Sequence, residues 1–468
     1  MITFHILAVP DRVDPVKEMD GNGETCCTLA NDGDTVTPTK KNKTPFETDL
    51  VYKGLSMWMP NGRPFSGVPD GHGMIVEKNT GRALWDFGMC SYLGIGRLPV
   101  MIDAAKRAYD EYGLCTNSSR SYMELPLLRE VEELVSAEFG GHFLATPKTH
   151  IGTMVWATAT VAPDDLLLVD REAHVSIHHA TDLSVAKGTR KVLVPHGDTA
   201  ELMRLLRENE GKARRVWYCI DGVHSMGRSM TDPGEIRAYL AASPKAYIFC
   251  DDAHGIGWAG ENGRGAFLEN FGGHVHERMI VAVSLCKAVE AGGGGLLYGD
   301  ETDRDRAAVC GLPMHWTAPC NPAILAATKT FFGWVHTDAY AERRSALLAL
   351  IDAFNNQMHD TDPPVHVETI QRVPIKVIHI GLARRAIEIA DILRAEGFYV
   401  CPCTYPVTKR GHAGLRITFN AAVPLSACLS LCTAVKKYCS GMPPPTVSVY
   451  DPDLATDEDP TTAKIQQS

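Results

Sequence analysis

The sequence predicts an α/β fold, with a large domain built on a mostly parallel sheet flanked by helices and a smaller α+β domain towards the C-terminus. Short runs that are apolar throughout, as in strands buried on both faces, lead to this prediction. They lie at 166–169, 192–194, 216–220, 247–250, 280–283 and 296–298. Helical stretches separate them, which is the order of a parallel sheet with crossover helices. After about residue 330 the pattern changes to longer helices and isolated strands.

Before the first strands, the chain is polar and then becomes helical. Residues 1–48 have no sustained periodicity and are predicted to be a flexible leader. Residues 49–105 are expected to contribute to the small domain. Helices are predicted at 99–112 and 126–139, because each opens with proline at a tolerated first-turn position and the second gathers its apolar residues on one face.

The rest of the chain completes the two domains. Residues 106–328 form the predicted large domain, which includes a helix at 199–207, and residues 329–440 form the small one. Helices are expected in the latter at 330–355 and 383–396, and strands at 373–380, 399–401 and 415–419. The Pro- and Thr-rich residues 441–468 are predicted to be a flexible tail.

Composition excludes several partners. The 468 residues are 45% hydrophobic and 22% charged, with a net charge of -10. Neither nucleic acid nor an anionic membrane attracts a broadly acidic protein. No run of eighteen uncharged apolar residues occurs, so we expect no membrane span and a cytoplasmic protein. The cysteines form no zinc-type pattern, and no metal site is expected.

Polar side chains follow five of the predicted strands, where open α/β sheets bind ligands. Among them, Asp251 and Lys287 each come directly after a buried run. An amine that can bind an aldehyde and a carboxylate that can keep a pyridine nitrogen protonated together suit pyridoxal 5'-phosphate. The sequence therefore predicts a site for this cofactor.

The stretch DDAHGIGWAGENGRG, residues 251–265, resembles the signature of the α-oxoamine synthases, and the resemblance extends over about residues 85–430. It implies the fold of type I pyridoxal phosphate-dependent transferases. It also implies a reaction in which an amino acid condenses with an acyl thioester and loses carbon dioxide. The thioester could be carried by coenzyme A or by an acyl carrier protein.

The resemblance assigns roles to four residues in the cofactor site. Lys287 resembles the Schiff-base lysine that also moves the α-proton, and Asp251 resembles the partner of the pyridine nitrogen. His254 resembles the histidine that hydrogen-bonds the phenolic oxygen of the cofactor. His174 resembles the histidine that stacks on the cofactor ring.

Weaker matches concern the phosphate group. Gly152 and Thr153 are expected to begin a helix whose amides bind phosphate, and Ser284 and Ser225 offer hydroxyls. Thr317 resembles a threonine that reaches the phosphate from the partner subunit, which implies a homodimer. For each of these residues, capping of a helix or turn is a nearly equal alternative.

Arg416 resembles the arginine that grips the α-carboxylate of the substrate, since a planar fork binds a carboxylate with two parallel hydrogen bonds. Cys90 stands where an asparagine near that carboxylate is expected. Cys286, Glu290 and His224 also depart from the family pattern, as does Trp156. These departures put the identity of the substrates in question more than the reaction.

Two alternatives remain open. The chain could be an aminotransferase or aldolase of the same fold, or a non-catalytic regulatory subunit. The first needs no acyl donor. The second is disfavoured because Lys287, Asp251, His174 and Arg416 are all present.

Overall fold

The computed structural model describes residues 53–57, 65–114, 117–227 and 230–446. The predicted leader and most of the predicted tail lie outside the described residues. The strands, in chain order, are β1 (Gly67–Pro69), β2 (Met74–Glu77), β3 (Ala83–Asp86), β4 (His142–Thr146), β5 (Leu166–Asp170), β6 (Arg190–Val194), β7 (Val216–Asp221), β8 (Ala246–Asp251), β9 (Met279–Ser284), β10 (Gly294–Tyr298), β11 (Ile375–Gly381), β12 (Phe398–Tyr399), β13 (Cys401–Cys403) and β14 (Ala413–Thr418).

Seven strands form the central sheet in the order β4-β10-β9-β8-β7-β5-β6. β5 to β9 are parallel, and β10 runs antiparallel to both of its neighbours. The predicted mostly parallel sheet is confirmed. β4 was not predicted from the sequence. It pairs with β10 and forms one edge of the sheet.

The α-helices are Pro99–Tyr112, Pro126–Phe139, Thr149–Ala159, Val175–Val185, Thr199–Asn209, Pro233–Ala242, Glu301–Cys310, Leu312–His315, Pro322–Trp334, Asp338–Met358, Ala383–Ala395 and Leu425–Cys439. The single helix predicted at 330–355 is wrong, because two helices meet there. The first ends at Trp334, and the Thr337 side chain caps the second by accepting a hydrogen bond from the amide of Tyr340.

Two small sheets join segments that are far apart in the sequence. One has the order β1-β2-β3-β12, in which β3 pairs in parallel with β12. The other has the order β11-β14-β13. The single strand predicted at 399–401 is therefore two short strands in different sheets. The extent of the predicted domains stays a prediction.

Burial explains why polar chemistry is confined to one edge of the central sheet. Every residue of β5, β7, β9 and β10 is buried. Burying a Val, Leu or Ile side chain contributes about 1.5–3 kcal/mol, so polar groups are costly within these strands and are tolerated only where the strands end. Among the described residues, no helix is long and apolar enough to cross a membrane.

Candidate active site

The carboxyl ends of β7 and β8 bring two carboxylates side by side. Asp221 and Asp251 are the last residues of their strands and are paired in register. Both are buried. Burial, and then the neighbouring Asp251, raise the pKa of Asp221 well above its ordinary value, while Lys287 opposes the shift. The Oδ1 atom of Asp221 is buried and has no hydrogen-bond partner among the described residues.

Asp251 and the residue that follows it, Asp252, have different surroundings. Asp251 accepts hydrogen bonds from the Ser176 hydroxyl (3.3 Å) and from the amide of Ala253 (3.1 Å). Asp252 is completely buried and accepts a hydrogen bond from the amide of Phe267 (3.0 Å). Burial raises the pKa of Asp252 to about 7. Asp252 therefore supports the loop, whereas Asp251 faces the predicted site.

Two glycines of the 251–265 signature pack closely against Asp252. A Cβ on Gly255 would lie 2.2 Å from Oδ1 of Asp252, and a Cβ on Gly265 would lie 2.4 Å from its Oδ2. Gly265 also has φ +106°, a conformation that L side chains rarely adopt. The signature thus has a structural role beside the catalytic one that the sequence predicts.

His174 precedes the helix Val175–Val185 and caps it. Its Nδ1 accepts a hydrogen bond from the amide of Ser176 (3.2 Å) and lies 2.8 Å from the Ser176 hydroxyl, which also contacts Asp251. The amide of His174 donates to Asp221 (3.0 Å). Burial lowers the pKa of His174, so a neutral ring is favoured at its place between the two carboxylates.

Lys287 follows β9 in the neighbouring loop. Burial lowers the pKa of its amine, and Asp251, Cys90 and Asp221 oppose this shift. Less energy is then needed to obtain the neutral amine, which is the form that attacks a carbonyl. Lys287 therefore has the reactivity that the predicted covalent role requires.

His254 is paired with Tyr92, a residue that the role assignments from the sequence omitted. The Tyr92 hydroxyl lies 2.6 Å from Nδ1 of His254, and both side chains are buried. Burial raises the pKa of Tyr92 well above its ordinary value, whereas burial and then Lys287 hold the pKa of His254 well below its own. The neutral Tyr92 hydroxyl can donate to Nδ1, and in that arrangement the proton of the neutral imidazole is on Nε2.

Arg416 lies on β14 and is held on one side. Its Nε donates to the carbonyl of Ser225 (2.8 Å), and its Nη2 lies 3.4 Å from Sγ of Cys90. A guanidinium has five N–H donors, so these contacts leave it the capacity to bind a ligand as well. The contact with Cys90 brings the two predicted substrate-binding residues together.

The predicted phosphate helix begins earlier than the sequence suggested. It starts at Thr149, and Lys148 precedes it without a side-chain cap. The amide of Gly152 already donates to the carbonyl of Lys148, and the Thr153 hydroxyl donates to the carbonyl of Thr149. The prediction that Gly152 and Thr153 begin the helix is wrong, and the free amides of the first turn are those of residues 149–151.

The other predicted hydroxyls are placed differently from one another. Ser284 ends β9 and accepts a hydrogen bond from the amide of Cys286 (3.3 Å). Ser225 reaches the site through its carbonyl, which holds Arg416. Thr317 is half-buried in the loop before the helix Pro322–Trp334, and no contact among the described residues joins it to the rest of the predicted site. Its role in a partner's site stays a prediction.

Glu290 connects the lysine loop to a distant loop. Its two carboxylate oxygens accept hydrogen bonds from the amides of Ile95 (2.8 Å) and Gly96 (2.9 Å), and its backbone has φ 53°. Burial raises the pKa of Glu290 to about 7. The sequence marked Glu290 only as a departure from the family pattern, since nothing local indicates its partners almost 200 residues away.

A cavity of about 960 Å³ opens onto this edge of the sheet. Its lining includes His174, His224 and Ser225 of the predicted site but not Lys287, Asp251 or Arg416. Arg171 and Lys409 lie among its other lining residues, and Lys409 forms an ion pair with Glu172 (3.0 Å). The cavity is large enough for a cofactor and a small substrate.

The arrangement fits pyridoxal 5'-phosphate. Lys287 offers an amine of lowered pKa, and the buried carboxylates can balance a protonated pyridine nitrogen. The unpaired Oδ1 of Asp221 is a buried acceptor without a protein donor. The amides at the start of the helix Thr149–Ala159 can bind a phosphate.

Comparisons with known proteins identify the family of this chain. The family model for aminotransferase class I and II matches residues 149–435, more than half of the chain. The 8-amino-7-oxononanoate synthase of Methylorubrum extorquens is 30% identical over 354 residues, which cover 74% of this chain and 84% of that protein. The enzyme of the same name from Pseudomonas aeruginosa is 28% identical over 362 residues, covering 77% and 86%.

Solved structures show the same fold. Serine palmitoyltransferase from Sphingomonas wittichii superposes with a TM-score of 0.74 at 20% identity, covering 85% of this chain and 98% of that one. The 8-amino-7-oxononanoate synthase of Francisella tularensis gives a TM-score of 0.63 at 19% identity, covering 76% and 97%.

The fold and the site define a pyridoxal phosphate-dependent enzyme of fold type I. Within that class, the chain belongs to the α-oxoamine synthase family. The resemblance seen in the 251–265 signature is thereby confirmed. The roles of single residues stay predictions.

Proposed function

We propose that this protein condenses an amino acid with an acyl thioester, releasing carbon dioxide and a thiol and forming an α-amino ketone. The family membership supports the reaction class, because relatives across most of the chain are named 8-amino-7-oxononanoate synthase. Bound pyridoxal 5'-phosphate would supply the electron sink for a carbanion at the Cα of the amino acid. The protein's own residues would hold, orient and deprotonate the substrate.

The observation that carries the proposal is that Lys287, Asp251 and His174 lie at one edge of the central sheet, and that Arg416, from β14 of a small sheet, lies near enough to Lys287 for their charges to interact. Arg416 would bind the α-carboxylate, and its anchoring to the Ser225 carbonyl would fix the direction of the guanidinium. Lys287, with its lowered pKa, would take the α-proton. An amino acid substrate requires an arginine that binds its α-carboxylate and a base, such as a lysine, that takes its α-proton.

The Nε2–H of His254 would be a second donor in the site. Because Tyr92 holds Nδ1, that proton points away from Tyr92 and would donate to an oxygen of the cofactor or of the acyl carbonyl. The cavity lined by Arg171 and Lys409 would receive the acyl donor. Its wall carries charges of both signs, because Glu172 and Glu368 line it together with Arg171 and Lys409.

The test is a coupled measurement of both products. Purified protein loaded with pyridoxal 5'-phosphate is incubated with single amino acids and with acyl thioesters of several lengths, on coenzyme A and on a carrier protein. We expect one pair to release carbon dioxide and free thiol in equal amounts. Lys287→Ala should abolish the release of both products. Lys409→Ala should leave the absorbance of the bound cofactor unchanged.

Arg416→Lys separates substrate binding from cofactor binding. It retains the positive charge and loses the fork, so we expect the KM for the amino acid to rise by about 10- to 100-fold, corresponding to roughly 1.4–2.8 kcal/mol, with cofactor affinity unchanged. The proposal is contradicted if the protein does not bind the cofactor. It is also contradicted if the bound cofactor transfers amino groups without any acyl donor.

A further inference from the structure

Three potential metal ligands meet beside the cofactor site, at the ends of three neighbouring strands. Asp170 is the last residue of β5, His196 follows β6 by two residues, and His224 follows β7 by three. These strands are adjacent in the order β7-β5-β6. One ligand atom from each residue lies within 4.8 Å of the others. The relative exposures of Asp170 and His224 are 1% and 2%, and the side chain of His196 is 18% exposed.

The three side chains contact one another, and a further carboxylate lies beside one of the histidines. Oδ2 of Asp170 lies 2.7 Å from Nδ1 of His196, and the rings of His196 and His224 meet edge to face with their centroids 4.6 Å apart. Nδ1 of His224 lies 3.5 Å from Oδ2 of Asp221. A metal-bound histidine usually turns its second nitrogen to a carboxylate in this way, which fixes the ring and makes the ligating nitrogen more basic.

We propose that Asp170, His196 and His224 bind one divalent first-row transition metal ion of the Zn²⁺ class, with water at the open position. Two imidazoles and one carboxylate suit such an ion better than Mg²⁺ or Ca²⁺, which prefer oxygen ligands. Donor atoms in a tetrahedral zinc site lie about 3.4 Å apart, so side-chain shifts of about 1 Å convert the cluster into a coordinated one. The hydrogen bond between Asp170 and His196 is exchanged for coordination.

The ion would join the ends of β5, β6 and β7 behind the cofactor. Asp221 would connect it to the active site, since that carboxylate contacts both His224 and the amide of His174. The sequence indicated no metal, because the three ligands come from separate strand ends and form no short motif. The site does not depend on the proposed reaction.

The test uses the full chain with any affinity tag removed, loaded with pyridoxal 5'-phosphate and freed of metal by a chelator. It is titrated with Co²⁺, whose visible absorption reports coordination, and Zn²⁺ is then added as a competitor. We expect one Co²⁺ per chain, displacement by Zn²⁺, and a higher melting temperature with the metal. His224→Phe and His196→Gln should each weaken Co²⁺ binding by more than about 100-fold, and Asp221→Asn by about 10- to 100-fold.

His178→Phe is the matched control, because His178 lies in the nearby cavity wall outside the cluster. It should leave Co²⁺ binding unchanged. The absorbance of the bound cofactor and the melting temperature without metal verify that each variant is folded. If one of the two histidine variants does not fold, Asp170→Asn is tested in its place. Wild-type protein that takes up no Co²⁺ overturns the proposal, as does equal binding by wild type and the folded ligand variants.

Discussion

The hydrogen bond between Tyr92 and His254 sets the protonation state of a group at the centre of the site. A buried imidazole without charged partners is neutral, and its single proton lies on the nitrogen that does not accept a hydrogen bond. Burial raises the pKa of Tyr92 well above its ordinary value, so the hydroxyl keeps its proton and can donate it to Nδ1. With Tyr92 as the donor, His254 donates through Nε2, which suits an interaction with an oxygen of a bound cofactor.

Tyr92→Phe tests this assignment. Removing the hydroxyl leaves Nδ1 of His254 buried without its donor, which costs about 1–3 kcal/mol and allows the proton to move to Nδ1. We expect kcat/KM to fall by about tenfold or more and the absorbance of the bound cofactor to shift. Tyr109→Phe, at an exposed tyrosine, is the control. An unchanged spectrum together with unchanged kinetics would show that Tyr92 does not position His254.

The positions of single residues were predictable from the sequence only where a side chain of that type is rarely found at the end of a buried strand. Lys287 and Asp251 fall into this group, because a lysine and a carboxylate seldom lie at the ends of buried strands unless they bind a ligand or a charged partner. Tyr92 and Glu290 do not. Their partners are 162 and 195 residues away, so their roles depend on long-range contacts that no local pattern contains.

At the scale of elements, the loop after β8 is shaped by the packing of glycines around the Asp252 carboxylate. Gly255→Ala would place a Cβ 2.2 Å from Oδ1 of Asp252, against a fully buried side chain that cannot move away freely. We expect a loss of about 1–3 kcal/mol in the free energy of unfolding, measured by urea denaturation. Gly211→Ala, which meets no atom within 4 Å, should change it by less than about 0.5 kcal/mol. Equal stability of both variants would contradict the packing argument.

The loop after β9 is tied to residues 95 and 96 by Glu290, and this contact should depend on pH. Glu290→Gln retains one acceptor and turns an amide NH₂ towards a backbone N–H, so we expect a loss of about 1–3 kcal/mol in unfolding free energy. The pKa of Glu290 is raised by burial to about 7 from 4.5, so the folded state holds a proton that the unfolded state has released. The unfolding free energy of the wild type should therefore decrease as the pH rises from about 4.5 to 7.

The difference in unfolding free energy between wild type and Glu290→Gln should become smaller as the pH rises through that range, because the variant has no carboxyl proton to lose. Urea denaturation at several pH values measures it. Glu342→Gln, at an exposed glutamate of the helix Asp338–Met358, should follow wild type at every pH. A difference that grows with pH would show that the carboxylate is charged in the folded state throughout.

Element boundaries were predictable where a residue with a fixed conformation begins or ends them. Pro99 and Pro126 open their helices at the predicted positions. The helix at Thr149 was placed three residues late because Lys148 offers no capping side chain to mark its start. The break at Thr337 had a capping residue, but the apolar pattern continued across it.

At the scale of the whole molecule, the parallel order of the sheet determines where the site lies. Because β7, β8 and β9 run in parallel, their carboxyl ends meet at one edge, and residues from separate parts of the chain come together there. This much followed from the sequence, since buried apolar strands alternate with helices. The antiparallel pairing of β10 with β4 did not follow, because β4 is a short mixed segment without alternation.

At this scale, the resemblance of Thr317 to a threonine that reaches the partner's phosphate predicts that two chains share their active sites. Thr317 is half-buried and has no contact with the predicted site of its own chain among the described residues. If its hydroxyl binds the phosphate in a second chain, Thr317→Val should weaken cofactor affinity by about tenfold, the value of one hydrogen bond. Thr433→Val, at an exposed helix position, should have no effect.

Subunit mixing then identifies the chain that Thr317 serves. Lys287→Ala removes the amine from one site, and Thr317→Val removes the hydroxyl from the site of the opposite chain. In a dimer with shared sites, a mixed pair of the two variants concentrates both defects in a single site and leaves the other intact. We expect the mixed dimer, isolated through two different tags, to bind cofactor at one of its sites with wild-type affinity. If Thr317 served its own chain, the Thr317→Val site would keep its weakened affinity in the mixed dimer, and a protein that remains monomeric in light scattering would exclude sharing altogether.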